Sequence, residues 1–168
     1  MMTEELKARR IQIAKNTLEL LPKITATMNR YLGGIDVDKL EDTTECVACQ
    51  IGAMYLSLVI ENPRKYRVDF RYVPTKVFPY SPASIVMRDR LEKVFSGEEL
   101  LLMECAYSGL FHRTNKGDIT FREFLNKVPL HKDRIRIICQ NIINNEGMFV
   151  YSQLPGFLEC GVVSDAPS

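Results

Sequence analysis

This sequence has no marked excess of either charge. The 168 residues hold 22 basic and 21 acidic side chains, a formal net charge of +1. That balance excludes the strong uniform field of a highly basic nucleic-acid binder, though a local basic face is still allowed. Long apolar runs are missing too. Residues 51–60 form the longest, about half of the ~20 residues that a membrane-spanning helix needs, so no membrane partner is expected. Residues 1–10 are charged and lack the apolar core of a secretion signal. The cysteines number five, an odd and thinly spread set that does not read as a disulfide framework. These absences place the chain in a reducing cytoplasm.

What is present reads as one domain spanning 1–168, with 161–168 as a flexible tail. Apolar residues make up 46% and charged residues 26% of the chain, a balance that supports a packed core. Thr3 is placed to cap a first helix carrying Ile11, Ala14, Leu18 and Leu21, which Pro22 interrupts. Ile24, Met28, Tyr31 and Leu32 suggest a second short helix ending at Gly33-Gly34. Thr43 or Thr44 opens the next. From Val47 to Ile60 that helix is apolar on nearly every side and carries the small residues Ala48, Gly52, Ala53 and Ser57. This is the pattern of a buried central helix. Tyr66, Val68, Phe70 and Tyr72 alternate with charges, as in a half-buried strand.

The second half carries clearer punctuation. Ser81-Pro82 starts a helix. Ser96-Gly97-Glu98-Glu99 is a capping box flanked by Phe95 and Leu100, and Thr120 to Glu123 has the same form. A last helix presents Ile135, Ile138 and Ile142 on one face. Met148 to Tyr151 suggests a strand that pairs with Tyr66 to Tyr72. The expected fold class is mainly α (α+β), a helical bundle around a buried central helix with a small two-stranded sheet.

Motifs with chemical meaning are few. His112 to Glu123 scans like a calcium loop, but His112, Thr114 and Lys116 stand where oxygen ligands belong. A helix-turn-helix joint is the better reading. Cys46 and Cys49 have the spacing of a zinc knuckle or redox pair. Zinc needs two more ligands, and only His112, His131 and Cys105 stand by. Packed, inert cysteines are the plainer account, and no metal or cofactor is expected. No nucleophile elbow, phosphate loop or dinucleotide fingerprint occurs. A small cysteine-dependent enzyme or zinc protein therefore ranks last.

Lys132, Arg134, Arg136 and Asn141 on the last helix suggest phosphate contact and base reading, the nucleic-acid alternative. Phe70, Tyr72, Phe78 and Tyr80 cluster in a proline-punctuated stretch and suggest a protein-binding surface.

Three segments carry a resemblance. Residues 45–57 (ECVACQIGAMYLS), 95–107 (FSGEELLLMECAY) and 134–149 (RIRIICQNIINNEGMF) resemble, in that order, small uncharacterised proteins of bacteriophages and prophages. The resemblance brings no catalytic residues with it. It implies a non-enzymatic accessory protein in the host cytoplasm that binds a host or defence-system protein, such as an anti-CRISPR-like inhibitor of a defence nuclease.

Overall fold

A computed structural model of the chain describes residues 1–27, 32–33, 46–67, 82–109, 112–115 and 117–161, with backbone alone at 32–33, 46–47, 82–84, 113–114 and 158–161. The fold is mainly helical, with seven α-helices among the described residues. They are α1 (Glu4–Leu20), α2 (Gln50–Glu61), α3 (Pro63–Tyr66), α4 (Pro82–Glu92), α5 (Gly97–Ser108), α6 (Arg122–Lys127) and α7 (His131–Asn144).

The predicted central helix is α2. Every residue from Gln50 to Val59 is buried, as its all-round apolar character demands. It packs against α1 and α5, and α7 closes the bundle by packing on both of those. The inward face of α7 carries Ile135, Ile138, Cys139 and Ile142, none of them exposed.

Local chemistry sets the helix ends. Thr3 accepts a hydrogen bond from the Leu6 N–H at 3.2 Å and starts α1. Pro22 has no N–H to continue the ladder, and α1 gives way to a 3-10 turn over Leu21–Lys23. Ser96 and Glu99 form the predicted capping box of α5. Gly109 ends α5 at φ 78°, where a Cβ would stand 2.4 Å from Leu125. Glycine takes that left-handed conformation without strain.

The β part is larger than expected and lies elsewhere. One sheet has the order β1-β3-β2, from Ile24–Ala26, Cys46–Ala48 and Leu32–Gly33. β1 runs parallel to β3, with Ile24 opposite Cys46. β2 runs antiparallel to β3. The second sheet is antiparallel in the order β4-β5-β6, from His112–Thr114, Gly117–Thr120 and Leu158–Gly161.

Several expectations are corrected. Ile24 and Leu32 lie on strands, not on a helix. The central helix begins at Gln50 because Cys46–Ala48 is drawn out as β3 between its two neighbours. Between α5 and α6, His112–Thr114 and Gly117–Thr120 pair as antiparallel strands, where the expectation had a turn alone. Thr120 makes no capping box, since it ends β5 opposite Leu158 and α6 starts at Arg122. Tyr66 closes α3, and residues 148–150 hold no strand, so the proposed 66–72 pairing with 148–151 does not form there. Residues 68–81 lie outside the described set, as do Thr43, Thr44 and 162–168; Gly161 of the proposed tail ends β6.

Candidate functional site

The last helix carries four residues of the nucleic-acid alternative, and the structure divides them. Arg134 points inward and is 6% exposed. Its Nε donates to the Val128 carbonyl at 2.7 Å, Nη1 to Tyr107 at 3.1 Å and Nη2 to Pro129 at 3.1 Å. The guanidinium thereby ties the start of α7 to the last turn of α5 and the end of α6. Burial lowers its pKa from the ordinary arginine value, with a smaller opposing effect of the Tyr107 phenol. Asn141 is also buried. It donates to the Val150 carbonyl at 2.9 Å and accepts from the Val150 N–H at 2.8 Å. Both side chains brace the fold, and Asn141 also lines a surface groove. The inward turn of Arg134 corrects its assignment as a nucleic-acid ligand.

Lys132 and Arg136 remain at the surface, with Arg136 paired to Asp133 within the helix. Positions 132, 136, 140 and 144 are four apart and form one ridge along α7. Gln140 donates to Asn144 at 2.8 Å, continuing the ridge as carboxamides. A shallow groove lies on each side. The first, about 470 Å³, has Leu18, Leu21 and Pro22 from the end of α1, with Lys132, Arg136 and Gln140 opposite. The second, about 240 Å³, contains Ile137, Leu154 and Pro155, bordered by the carboxamides of Gln140, Asn141, Asn144, Asn145 and Gln153. The grooves meet at Gln140. The sequence signal for this face was the polar four-residue spacing opposite the buried isoleucines. What it lacked was any sign that Leu18 and Leu21 border a groove.

The cysteine pair is drawn apart. Cys46 begins β3 and Cys49 caps α2. Extended chain rises about 3.3 Å per residue, so their Cα atoms lie roughly 10 Å apart, beyond the ~7 Å a disulfide tolerates. Cys49 is fully buried, near enough to Tyr107 to add to the upward shift that burial gives the phenol. Tyr107 donates to the Thr27 carbonyl at 2.7 Å, and the His131 ring stands 5.7 Å from its own. Cys139 is buried against Gln50, and burial pushes its thiol up to about 12. Such a thiol is a poor nucleophile. Among the described residues no three His, Cys, Asp or Glu side chains gather as metal ligands.

Phe70, Tyr72, Phe78 and Tyr80 lie outside the described residues. Among the described residues no helix is long and apolar enough to cross a membrane. Family models, curated proteins and solved structures give no match to the chain.

Proposed function

We propose that this protein is a non-enzymatic binding module that docks a partner protein across the outer face of α7. The observation that supports this reading is the polar ridge of Lys132, Arg136, Gln140 and Asn144, set between two grooves with apolar lining that meet at Gln140. Apolar hollows beside polar rims are what protein interfaces use, the hollows for affinity and the rims for register. The likeness to phage accessory proteins directs the proposal to a bacterial host or defence-system protein, with inhibition of a defence nuclease as the finer reading.

A tagged chain incubated with bacterial lysate, with and without added nuclease, tests the reading. The expected result is one stoichiometric protein that survives nuclease. A variant carrying Gln140→Tyr and Asn144→Tyr, which crowds both grooves from exposed positions, should lose it. Capture unaltered by those two changes would remove the α7 face from the proposal. Recovery of nucleic acid that disappears at higher salt would replace it with the nucleic-acid reading.

A further inference from the structure

We infer that the groove between α1 and α7 receives an acidic amphipathic helix of the partner protein; this rests on the binding-module reading and specifies its occupant. The groove has an apolar side and a cationic side. Leu18, Leu21 and Pro22 supply the first. Pro22 is exposed and Leu18 half-buried because the 3-10 turn at Leu21–Lys23 carries the chain away into β1, while Leu21 itself is buried. Lys132, Arg136 and the neutral Gln140 supply the second, and among the described residues no carboxylate lines the groove. The nearest acid on α7 is Asp133, which pairs with Arg136. Exposed Lys23 follows directly after Pro22.

Spacing favours a helix as the occupant. Lys132 and Arg136 lie one helical turn apart, about 6 Å along the axis. A second helix laid beside α7 presents carboxylates at positions i and i+4 with the same separation, while its apolar stripe seats against Leu18 and Pro22. Groove charge selects the sign of the partner, since a basic helix would bring like charges together without compensation. A nucleic acid fits less well. Two cations, one already paired with a carboxylate, neutralise few phosphates, and an apolar lining offers a backbone nothing.

Two fluorescein-labelled helical peptides with the same leucine stripe, one flanked by glutamates and the other by lysines, provide the test, with a labelled DNA duplex as a third probe. Anisotropy titrations use the full chain and a K132E/R136E variant. Acidic residues near a helix N-terminus suit its dipole, so the variant should keep its fold, which circular dichroism checks. The glutamate peptide should bind at least about tenfold tighter than the lysine peptide, lose affinity with salt, and weaken roughly tenfold on K132E/R136E. Shifts of backbone amide NMR signals should centre on Leu18, Lys132 and Arg136. Equal binding of the two peptides, no binding of the glutamate peptide, or affinity unchanged in the variant would overturn the inference. Tighter binding of the duplex, abolished in the variant, would overturn it in favour of nucleic acid. The broader reading fails separately: a lysate partner lost on Q140Y/N144Y but kept by K132E/R136E retains the binding face and removes the acidic occupant.

Discussion

Arg10 and Glu99 meet in a two-point ion pair, Nη2 to Oε1 at 2.9 Å and Nη1 to Oε2 at 3.0 Å, that joins α1 to the cap of α5. Arg10 also donates from Nε to the Val94 carbonyl at 2.7 Å and lies 5.0 Å from the centre of the Phe95 ring. Glu99 accepts from the Ser96 N–H at 3.3 Å and from the Phe149 N–H at 3.4 Å. One carboxylate thus closes a capping box, pairs an arginine and holds the chain that follows α7. The arginine in turn donates to the Gly147 carbonyl at 3.3 Å.

Removing either partner strands the other. The pair is only partly buried, with 10% and 21% of the two side chains exposed, so the loss falls below that of a fully enclosed pair. Arg10→Ala is expected to destabilise by about 2–3 kcal/mol. Glu99→Gln keeps a carbonyl for the cap and should cost about half as much, near 1 kcal/mol. Urea unfolding midpoints check the order. A Glu99→Gln variant less stable than Arg10→Ala would mean that an unpaired Arg10 guanidinium costs more than an unpaired Glu99 carboxylate.

Arg134 and Asn141 should behave as fold residues and not as contact residues. Arg134→Ala leaves the Val128, Tyr107 and Pro129 carbonyls without their donor, and a loss of about 3 kcal/mol is expected. Asn141→Ala takes the acceptor from the Val150 N–H and leaves the Val150 carbonyl with the Gln153 N–H, at 3.1 Å, and should cost about 2 kcal/mol. The same urea curves read both. Either variant with an unchanged midpoint and a selective loss of binding would restore that residue to the interface.

Much of the helical frame was legible in the residues themselves. Thr3, the Ser96–Glu99 box and the isoleucine face of α7 are local signals, and local signals survive in the fold. The buried α2 was legible because no polar face interrupts it. Its first turn was misplaced for a physical reason. Cys46–Ala48 is a short apolar run continuous with the helix, and periodicity cannot separate a strand from a helix there. Its pairing with Ile24–Ala26, more than twenty residues earlier, draws it out. Thr120 shows the same limit from the other side. Its sequence has the form of a capping box, but partner Leu158 lies far along the chain and holds it in β5. Arg134 was separable in principle from Arg136, since 134, 138 and 141 share one helical face. Residue type alone grouped the two arginines together.

Gln50 is a polar side chain that the apolar pattern of α2 conceals. It is fully buried, and its Oε1 has no hydrogen-bond partner among the described groups. Among the described residues its amide nitrogen reaches only the Cys139 sulfur, at 3.7 Å. An under-satisfied buried amide is costly, and an apolar side chain of similar length avoids that cost. Gln50→Met is therefore expected to stabilise the protein by about 1 kcal/mol, seen as a higher thermal midpoint. Destabilisation would show that the amide makes interactions worth more than its desolvation.

Cys139 supplies a pH-dependent prediction with a definite sign. Burial raises its thiol from 9.0 to about 12 in the folded chain. A raised acid pKa means that the folded state holds its proton while the unfolded state releases it. This contribution to stability is complete below about pH 9 and is lost as pH rises from there toward 12. Between pH 8 and pH 10 the wild type should lose about 1 kcal/mol on this account. Cys139→Ala should flatten that part of the profile, leaving the part due to other raised groups, among them Tyr55, Tyr107 and Lys7. Iodoacetamide labelling gives an independent check, since Cys139 should react only after urea unfolds the chain. Rapid labelling of Cys139 in the folded protein near neutral pH would show that the thiol is open to solvent and ionised, and would return this cysteine to consideration as a reactive group.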